Sequence, residues 1–306
     1  MSFGFYSNRD DLPEVEQVLL DKIEDNIGET LYATAYWGYG FRIEYNRLVS
    51  LFIRGYYDER RLNVLPEEVC EASKLSLMSI GINRVQKIPE KIGNLQNLSR
   101  LFMGNNLIER IPKSLTELQN VETLELQNNR IHDFPAGVGG MKHLIDLSLG
   151  NNLLESLPHD LGDAPNLRSL RIPYNRIRHL PDSLRNCEGM YRLRYGDNEV
   201  EQLPDWIGEW DGLVELLLHG NNLKELPDSI TDLKNLEVLD LRNNQLEEIP
   251  IYQLAELESL QEVYISGNPL SDSFKRKFRA MSRLMPKYIR IDGMRLDDYF
   301  NKSDLF

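Results

Sequence analysis

The residues best suited to chemistry begin with a run of cationic side chains. The stretch LRSLRIPYNRIRHLP, residues 167–181, carries Arg168, Arg171, Arg176, Arg178 and His179. The chain around it has 306 residues and a formal net charge of -13. Arginine presents a planar fork of N–H donors that matches carboxylates and phosphates. The stretch therefore predicts either an anion-binding surface or a set of solvated charges, depending on where each side chain points.

Acid–base and metal chemistry have less support. The five histidines are scattered, and none is spaced with another histidine, a cysteine or a glutamate as metal ligands are. The two cysteines, Cys70 and Cys187, have no evident base nearby, and no GxxxxGK[ST], kinase or GxSxG motif is present. An enzyme would need a cluster of His219 with Asp197 and Glu215. We expect instead no catalysis, no cofactor and no metal.

These residues belong to a repeat. Eight units, among them VETLELQNNRIHDFP and LRSLRIPYNRIRHLP, start 23 residues apart, and a ninth, LQEVYISGNPL, starts at Leu260 after 24 residues. In the shared pattern LxxLxLxxNxL the alternating apolar residues predict a short strand with one buried face. An asparagine occupies the ninth position of every unit, where its amide can satisfy backbone groups as the chain turns. These residues are Asn83, Asn106, Asn129, Asn152, Asn175, Asn198, Asn221, Asn244 and Asn268.

The pattern resembles the leucine-rich repeat family over roughly residues 65–270. The 23-residue length and the LP dipeptide that ends most units are similar to the intracellular, Ras-associated class of that family. The resemblance implies an α/β fold, a solenoid with a curved parallel β-sheet in the shape of a horseshoe. It also implies that the concave face of the sheet binds a protein partner, with small GTPases or phosphatases as the expected class.

We expect three segments, an N-terminal α+β cap at 1–65, about nine repeats at 66–270, and a C-terminal cap and tail at 271–306. Leu12, Val15, Leu19, Ile23 and Ile27 predict a helix that Gly28 stops. YGFRIEYNRLVSLFI, with a turn near Tyr45-Asn46, resembles the N-terminal start of prokaryotic leucine-rich repeat proteins. SFKRKFRAMSRLMPKYIRIDG resembles a helical C-terminal cap, with Met285-Pro286 and Ile291-Asp292-Gly293 at its close. Residues 271–290 have a net charge of +6, which makes this helix basic on one side.

The strand register predicts which side chains face outward. The second and fourth positions after each starting leucine point away from the core, so Arg171, Arg192 and Arg194 should cluster in the middle of the concave sheet. The rest of the predicted partner-binding surface is Tyr174, Asp197, Glu215, His219, Phe102, Glu125, Asp146, Asp240 and Tyr264. Arg176 and Arg178 should be solvated on the turn, and Trp206 is expected to be exposed on the convex side. The alternative is that the three arginines are freely varying surface charges.

Composition points to the cytoplasm. Two cysteines do not make a disulfide framework, the first residues lack a secretory pattern, and no run reaches the length of a membrane span. The net negative charge disfavours nucleic-acid binding by the repeat body. We expect a monomeric, non-catalytic protein-binding scaffold with a role in signalling. The alternative function is a peripheral binder of acidic surfaces, either a membrane or an acidic partner, through the basic C-terminal helix.

Overall fold

The computed structural model describes residues 9–28, 30–32, 40–55, 61–281, 290–291 and 294–295. The chain divides into two compact units. Unit 1 runs to Leu153 and adds Asp163–Asn166, and unit 2 holds Leu154–Gly162 and the residues from Leu167 onward. The predicted turn at Met285-Pro286 and the closing Asp292-Gly293 lie outside the described residues.

The described residues of unit 1 form six strands. They are β1 Gly40–Glu44, β2 Arg47–Phe52, β3 Leu77–Ser79, β4 Arg100–Phe102, β5 Thr123–Glu125 and β6 Asp146–Ser148. The first two form an antiparallel hairpin, whose turn falls at Tyr45-Asn46 as predicted, with both residues at positive φ. The strands β2 to β6 pair in parallel, each with the next.

Unit 2 is also built mainly on parallel strands, and its described residues contain seven strands. They are β7 Ser169–Arg171, β8 Arg192–Arg194, β9 Glu215–Leu217, β10 Val238–Asp240, β11 Glu262–Tyr264, β12 Arg290–Ile291 and β13 Met294–Arg295. The strands β7 to β12 are parallel and β13 is antiparallel to β12. Each repeat strand has three residues, because the pattern places one inward leucine between two outward positions before the chain turns.

The repeat leucines form the core, and the repeat asparagines join each repeat to the one before it. Leu167, Leu170 and Ile172, the first, fourth and sixth residues of one unit, are at most 1% exposed. The Asn198 amide donates to the Ile172 carbonyl at 3.0 Å and accepts from the Ile177 N–H at 3.0 Å. This asparagine therefore satisfies backbone groups of the preceding repeat that no strand pairing reaches.

The side of the repeats away from the strands consists of short 3₁₀ segments. They span Glu67–Glu71, Ile92–Asn94, Lys113–Glu117, Val138–Gly140, Leu161–Asp163, Asp182–Asn186, Asp205–Glu209 and Asp228–Asp232. Five of these segments begin directly after a proline, whose missing N–H and fixed φ suit the first position of a helical turn. Their apolar residues, such as Leu184 and Ile230, close the core.

The N-terminal helix α1, Glu14–Ile27, confirms the predicted helix, and Gly28 ends it at φ 69°. The buried face differs from the expected one, because Glu16 is fully buried whereas Val15 is only half-buried. The Glu16 carboxylate contacts Arg47 Nε at 2.9 Å and accepts the Leu48 N–H at 2.7 Å. A buried charge of this kind is tolerated because it is paired and hydrogen-bonded, and it joins α1 to β2.

Among the residues that the structure describes after β10, two segments are α-helical, α2 Ile251–Leu254 and α3 Asp272–Met281. In α3 the predicted apolar residues Phe274 and Phe278 are buried, and their rings stack at 5.5 Å. The side chains of Arg279 and Arg283, predicted on the basic side, lie outside the described residues. Within the described ranges, no helix has the length and apolar character that crossing a membrane requires.

Candidate binding surface

The strand register of unit 2 brings the three predicted arginines together. Arg171 on β7 lies opposite Arg194 on β8, and Arg192 lies opposite Glu215 on β9. All four point away from the buried leucines, on what we call the open strand face. Arg171, Arg192 and Arg194 form the central arginine patch.

One carboxylate serves two of these arginines. Glu215 Oε2 lies 3.3 Å from Arg192 Nε, and Glu215 Oε1 lies 2.5 Å from Arg194 Nε. The side chains of Arg192 and Arg194 remain 30% and 41% exposed, and the Arg192 guanidinium also lies 5.1 Å from the centre of the Tyr191 ring. The two cations and one anion leave a net positive charge held in a fixed, partly exposed position.

A second cluster of charges centres on His219. Its Nε2 is 3.2 Å from Asp197 Oδ2, and its Nδ1 is 3.2 Å from Asp240 Oδ2. The imidazole lies over Gly196, where a Cβ atom would stand 2.6 Å from the ring. A larger residue at that position would therefore displace the ring from its place between the two carboxylates.

These contacts favour the charged form of His219. The contact with the Asp240 carboxylate is the largest cause raising the pKa of His219, and burial acts against it. Burial acts to raise the pKa of Asp240, but the contacts from His219 and Arg242 outweigh it and hold that pKa at about 2. An imidazolium with a carboxylate at each nitrogen has no free lone pair, so it is poorly suited to act as a general base.

Arg242 extends this cluster and was missed from the sequence. It binds Asp240 through Nε at 2.9 Å and Nη2 at 2.5 Å, and its guanidinium lies 4.8 Å from the centre of the Tyr264 ring. The Tyr264 hydroxyl in turn donates to Glu262 at 2.7 Å. Arg242 is the seventh residue of its repeat, the same position that His219 occupies, and that register could have identified it.

The remaining predicted residues are divided between the two units. Tyr174, 59% exposed and at φ 57°, lies on the turn of unit 2, where the charge of Asp197 raises its pKa. Phe102, Glu125 and Asp146 are half-buried on strands of unit 1, with Phe102 opposite Glu125.

Two predicted positions differ in exposure from what the repeat pattern suggests. Asp240 is only 2% exposed, so its carboxylate acts through His219 and Arg242. The prediction that Trp206 is exposed is wrong, since it is 8% exposed and its ring meets Trp210 edge-on at 5.4 Å. The Trp206 indole N–H donates to Asp182 at 3.3 Å, which gives the buried polar group a partner.

Metal binding and thiol chemistry have little support in the described ranges. No cluster of three or more His, Cys, Asp or Glu side chains there could hold a metal ion. Cys70 and Cys187 are buried and form no disulfide with each other, and burial raises the pKa of the Cys70 thiol to about 12. A thiol in that state is a poor nucleophile at neutral pH.

Solved structures with a similar fold include the ectodomain of a plant membrane receptor kinase. The leucine-rich repeat ectodomain of the membrane receptor kinase GASSHO1/SCHENGEN3 from Arabidopsis thaliana, in complex with CASPARIAN STRIP INTEGRITY FACTOR 2, superposes with a TM-score of 0.70 at 25% identity over 85% of this chain. PEPR1 in the PEPR1–AtPEP1 complex gives 0.73 at 24% identity over 90% of this chain. This chain spans only 31% of the first and 40% of the second.

No curated protein matches the chain. The family model described as leucine rich repeat matches residues 73–131, 119–177 and 211–270, which together make up more than half of the chain. The matched ranges contain most of the repeat strands. Of the residues in the two clusters of charges, Arg192, Arg194 and Asp197 lie outside the matched ranges. With the parallel three-residue strands and the asparagines between repeats, this match establishes that the chain belongs to the leucine-rich repeat family.

Proposed function

We propose that this protein is a non-catalytic scaffold that binds a protein partner through the central arginine patch. The observation that carries the proposal is the sharing of Glu215 between Arg192 and Arg194, which leaves one guanidinium charge without an equal counter-charge from that carboxylate. Clustered cations are unfavourable unless an anion offsets them. A partner that offers a carboxylate or phosphate would supply that anion through bidentate contacts.

The setting of the patch supports this role. Arg192 and Arg194 are fixed by contacts with Glu215, so little side-chain freedom is lost on binding. Half-buried Leu217 lies beside Arg194 in the strand register and gives a partner some apolar surface. Partly exposed arginines next to apolar surface are typical of the residues that dominate binding energy.

The finer features of the proposal follow from the sequence. We propose a monomer that works in a reducing compartment such as the cytoplasm, where the buried Cys70 and Cys187 remain thiols. The LP-rich repeats favour the Ras-associated class, and by analogy with that class we propose small GTPases or phosphatases as partners. We also propose the cap, repeat and tail segments at 1–65, 66–270 and 271–306.

The test compares two variants with the same change in net charge. The first replaces Arg171, Arg192 and Arg194 with glutamine, and the control replaces the exposed turn residues Arg110, Arg130 and Arg176 with glutamine. Proteins retained from native lysate are identified by mass spectrometry after circular dichroism shows that both variants are folded. A partner held by the wild type and the control but lost by the patch variant supports the proposal. A partner retained by all three proteins refutes it.

A second candidate function uses α3 as a binder of acidic surfaces. With Phe274 buried, the exposed side of this helix presents Arg276 and Lys277. Flotation with phosphatidylserine vesicles tests it, using the variant Arg276→Gln/Lys277→Gln. Binding by the wild type that this variant loses, and that the patch variant keeps, would favour the second candidate over the first.

A further inference from the structure

The LP turn that follows β10 departs from the others. Pro181, Pro204 and Pro227 have ψ between 140° and 148°, and each leads into a 3₁₀ segment. Pro250 has ψ 56° and leads into the short helix α2 instead. The repeat that contains Pro250 is also the one that is 24 residues long. The chain therefore leaves this turn in a different direction, and the outer edge of the repeats opens there.

The opening is a groove with an apolar base. A cavity of about 990 Å³ is lined by Ile249, Pro250 and Phe274, and Tyr252 on α2 forms one wall with 47% of its surface exposed. A second cavity of about 270 Å³ adjoins it and shares Glu225 and Leu226. We call the two cavities together the LP groove. It follows the turns of three successive repeats within unit 2. None of the residues that line it lies on the open strand face.

The charge of the LP groove is negative. The larger cavity is lined by four carboxylates, Glu225, Asp228, Glu247 and Glu248, against two lysines, Lys224 and Lys277. The smaller cavity adds Asp205. The Glu248 carboxylate accepts a hydrogen bond from the Ser271 hydroxyl. In the part of the chain that the structure describes, no lysine or arginine is paired with the carboxylate of Glu225, Asp228 or Glu247.

We propose that the LP groove binds an extended, lysine- or arginine-rich segment of a partner protein. The carboxylates match guanidinium and ammonium groups, and the Tyr252 ring can take a cation on its face. Three stacked repeats span about 10 Å at ~4.8 Å per strand, which accommodates about three residues of extended chain. The apolar base formed by Ile249 and Pro250 can cover the aliphatic stems of the same side chains.

The test measures binding of a short fluorescein-labelled, arginine-rich peptide by fluorescence anisotropy at physiological ionic strength, with a glutamate-rich peptide as the negative probe. Glu225→Gln/Glu247→Gln removes two groove charges. Its matched control, Glu109→Gln/Glu155→Gln, removes the same charge from exposed turn positions outside the LP groove. We expect affinity to fall about tenfold in the groove variant and by less than about twofold in the control. Tyr252→Ala should weaken binding about threefold or more.

Three results would overturn the proposal. Equal weakening by the groove and control variants would mean that the peptide responds only to the net charge of the chain. An arginine-rich peptide that the wild type does not bind would exclude the proposed occupant. Concentration-dependent dimerisation in sedimentation that Glu225→Gln/Glu247→Gln abolishes would assign the groove to the basic helix of a second copy.

Discussion

The charge cluster around His219 makes a quantitative prediction about stability and pH. The perturbation is Asp240→Asn, which keeps the shape of the side chain and removes the charge that holds His219 and Arg242. Asp240 is buried and contacts both cations, with distances of 3.2 Å to His219 and 2.5 Å to Arg242. We expect the variant to fold, because an amide can still accept hydrogen bonds from both neighbours.

The magnitude follows from the pKa of Asp240. The folded protein lowers it from 3.8 to about 2, which corresponds to about 2 kcal/mol of folding free energy in the ionised state. Because the folded pKa is depressed, this stability is present above pH ~4 and is lost as pH falls through the folded value. Asp240→Asn should therefore lower the free energy of unfolding by about 2 kcal/mol near pH 6.

His219 adds a pH dependence of opposite sign. Its folded pKa is raised above 6.5, so its contribution is fully present below pH 6.5 and is lost as pH rises through the folded pKa. Asp240→Asn removes the largest cause of that shift. The difference in stability between wild type and variant should therefore shrink from pH 6 to pH 8.5, and contributions shared by both proteins cancel in the difference.

Urea unfolding followed by circular dichroism at several pH values measures the free energies, and NMR titration of the histidine ring protons reports the pKa of His219 directly. The control is Asp205→Asn, which removes an exposed carboxylate elsewhere in unit 2. A loss below about 0.5 kcal/mol near pH 6, or an unchanged His219 titration in Asp240→Asn, would refute the reasoning.

Three further substitutions test the repeat itself by urea unfolding. Asn198→Ala should lose about 2–4 kcal/mol because buried backbone groups of the preceding repeat lose their partner, and a loss under about 1 kcal/mol would contradict its bridging role. Gly212→Asn should raise the free energy of unfolding by about 1 kcal/mol, because the new side chain can donate to the Glu188 carbonyl. Asn235 makes the equivalent hydrogen bond, to the Asp211 carbonyl of the preceding repeat at 2.7 Å. A lower free energy of unfolding would show that the site does not accept the side chain. Tyr195→Phe should be neutral or stabilising by up to about 1 kcal/mol, because within the described residues the buried hydroxyl has no hydrogen-bond partner, and a clear loss would reveal one.

The repeat pattern predicted most of the fold because each of its positions has one physical role. An inward leucine such as Leu170 has only the core to enter, and an asparagine such as Asn198 is the residue that can join two turns through one amide. The same register predicts Arg171, Arg192 and Arg194 on two adjacent strands, where the structure has them.

The features that were missed depend on contacts between side chains far apart in the sequence. Trp206 occupies a position that is polar in other units, but its ring is buried because it meets Trp210 and bonds Asp182. Glu16 lies outside the predicted apolar face of the helix, and its pairing with Arg47 makes its burial tolerable. Periodicity reports which face a residue occupies, whereas these outcomes depend on which partner lies opposite.

The most direct test of the central claim identifies the face that touches the partner. A photo-crosslinking amino acid placed at Leu217, half-buried on the open strand face, is compared with one placed at Asp232, exposed at the end of a 3₁₀ segment. Irradiation in the presence of the captured partner should give a covalent adduct from position 217 and little from position 232. An adduct from position 232 alone, or equal yields from both, would contradict binding at the central arginine patch.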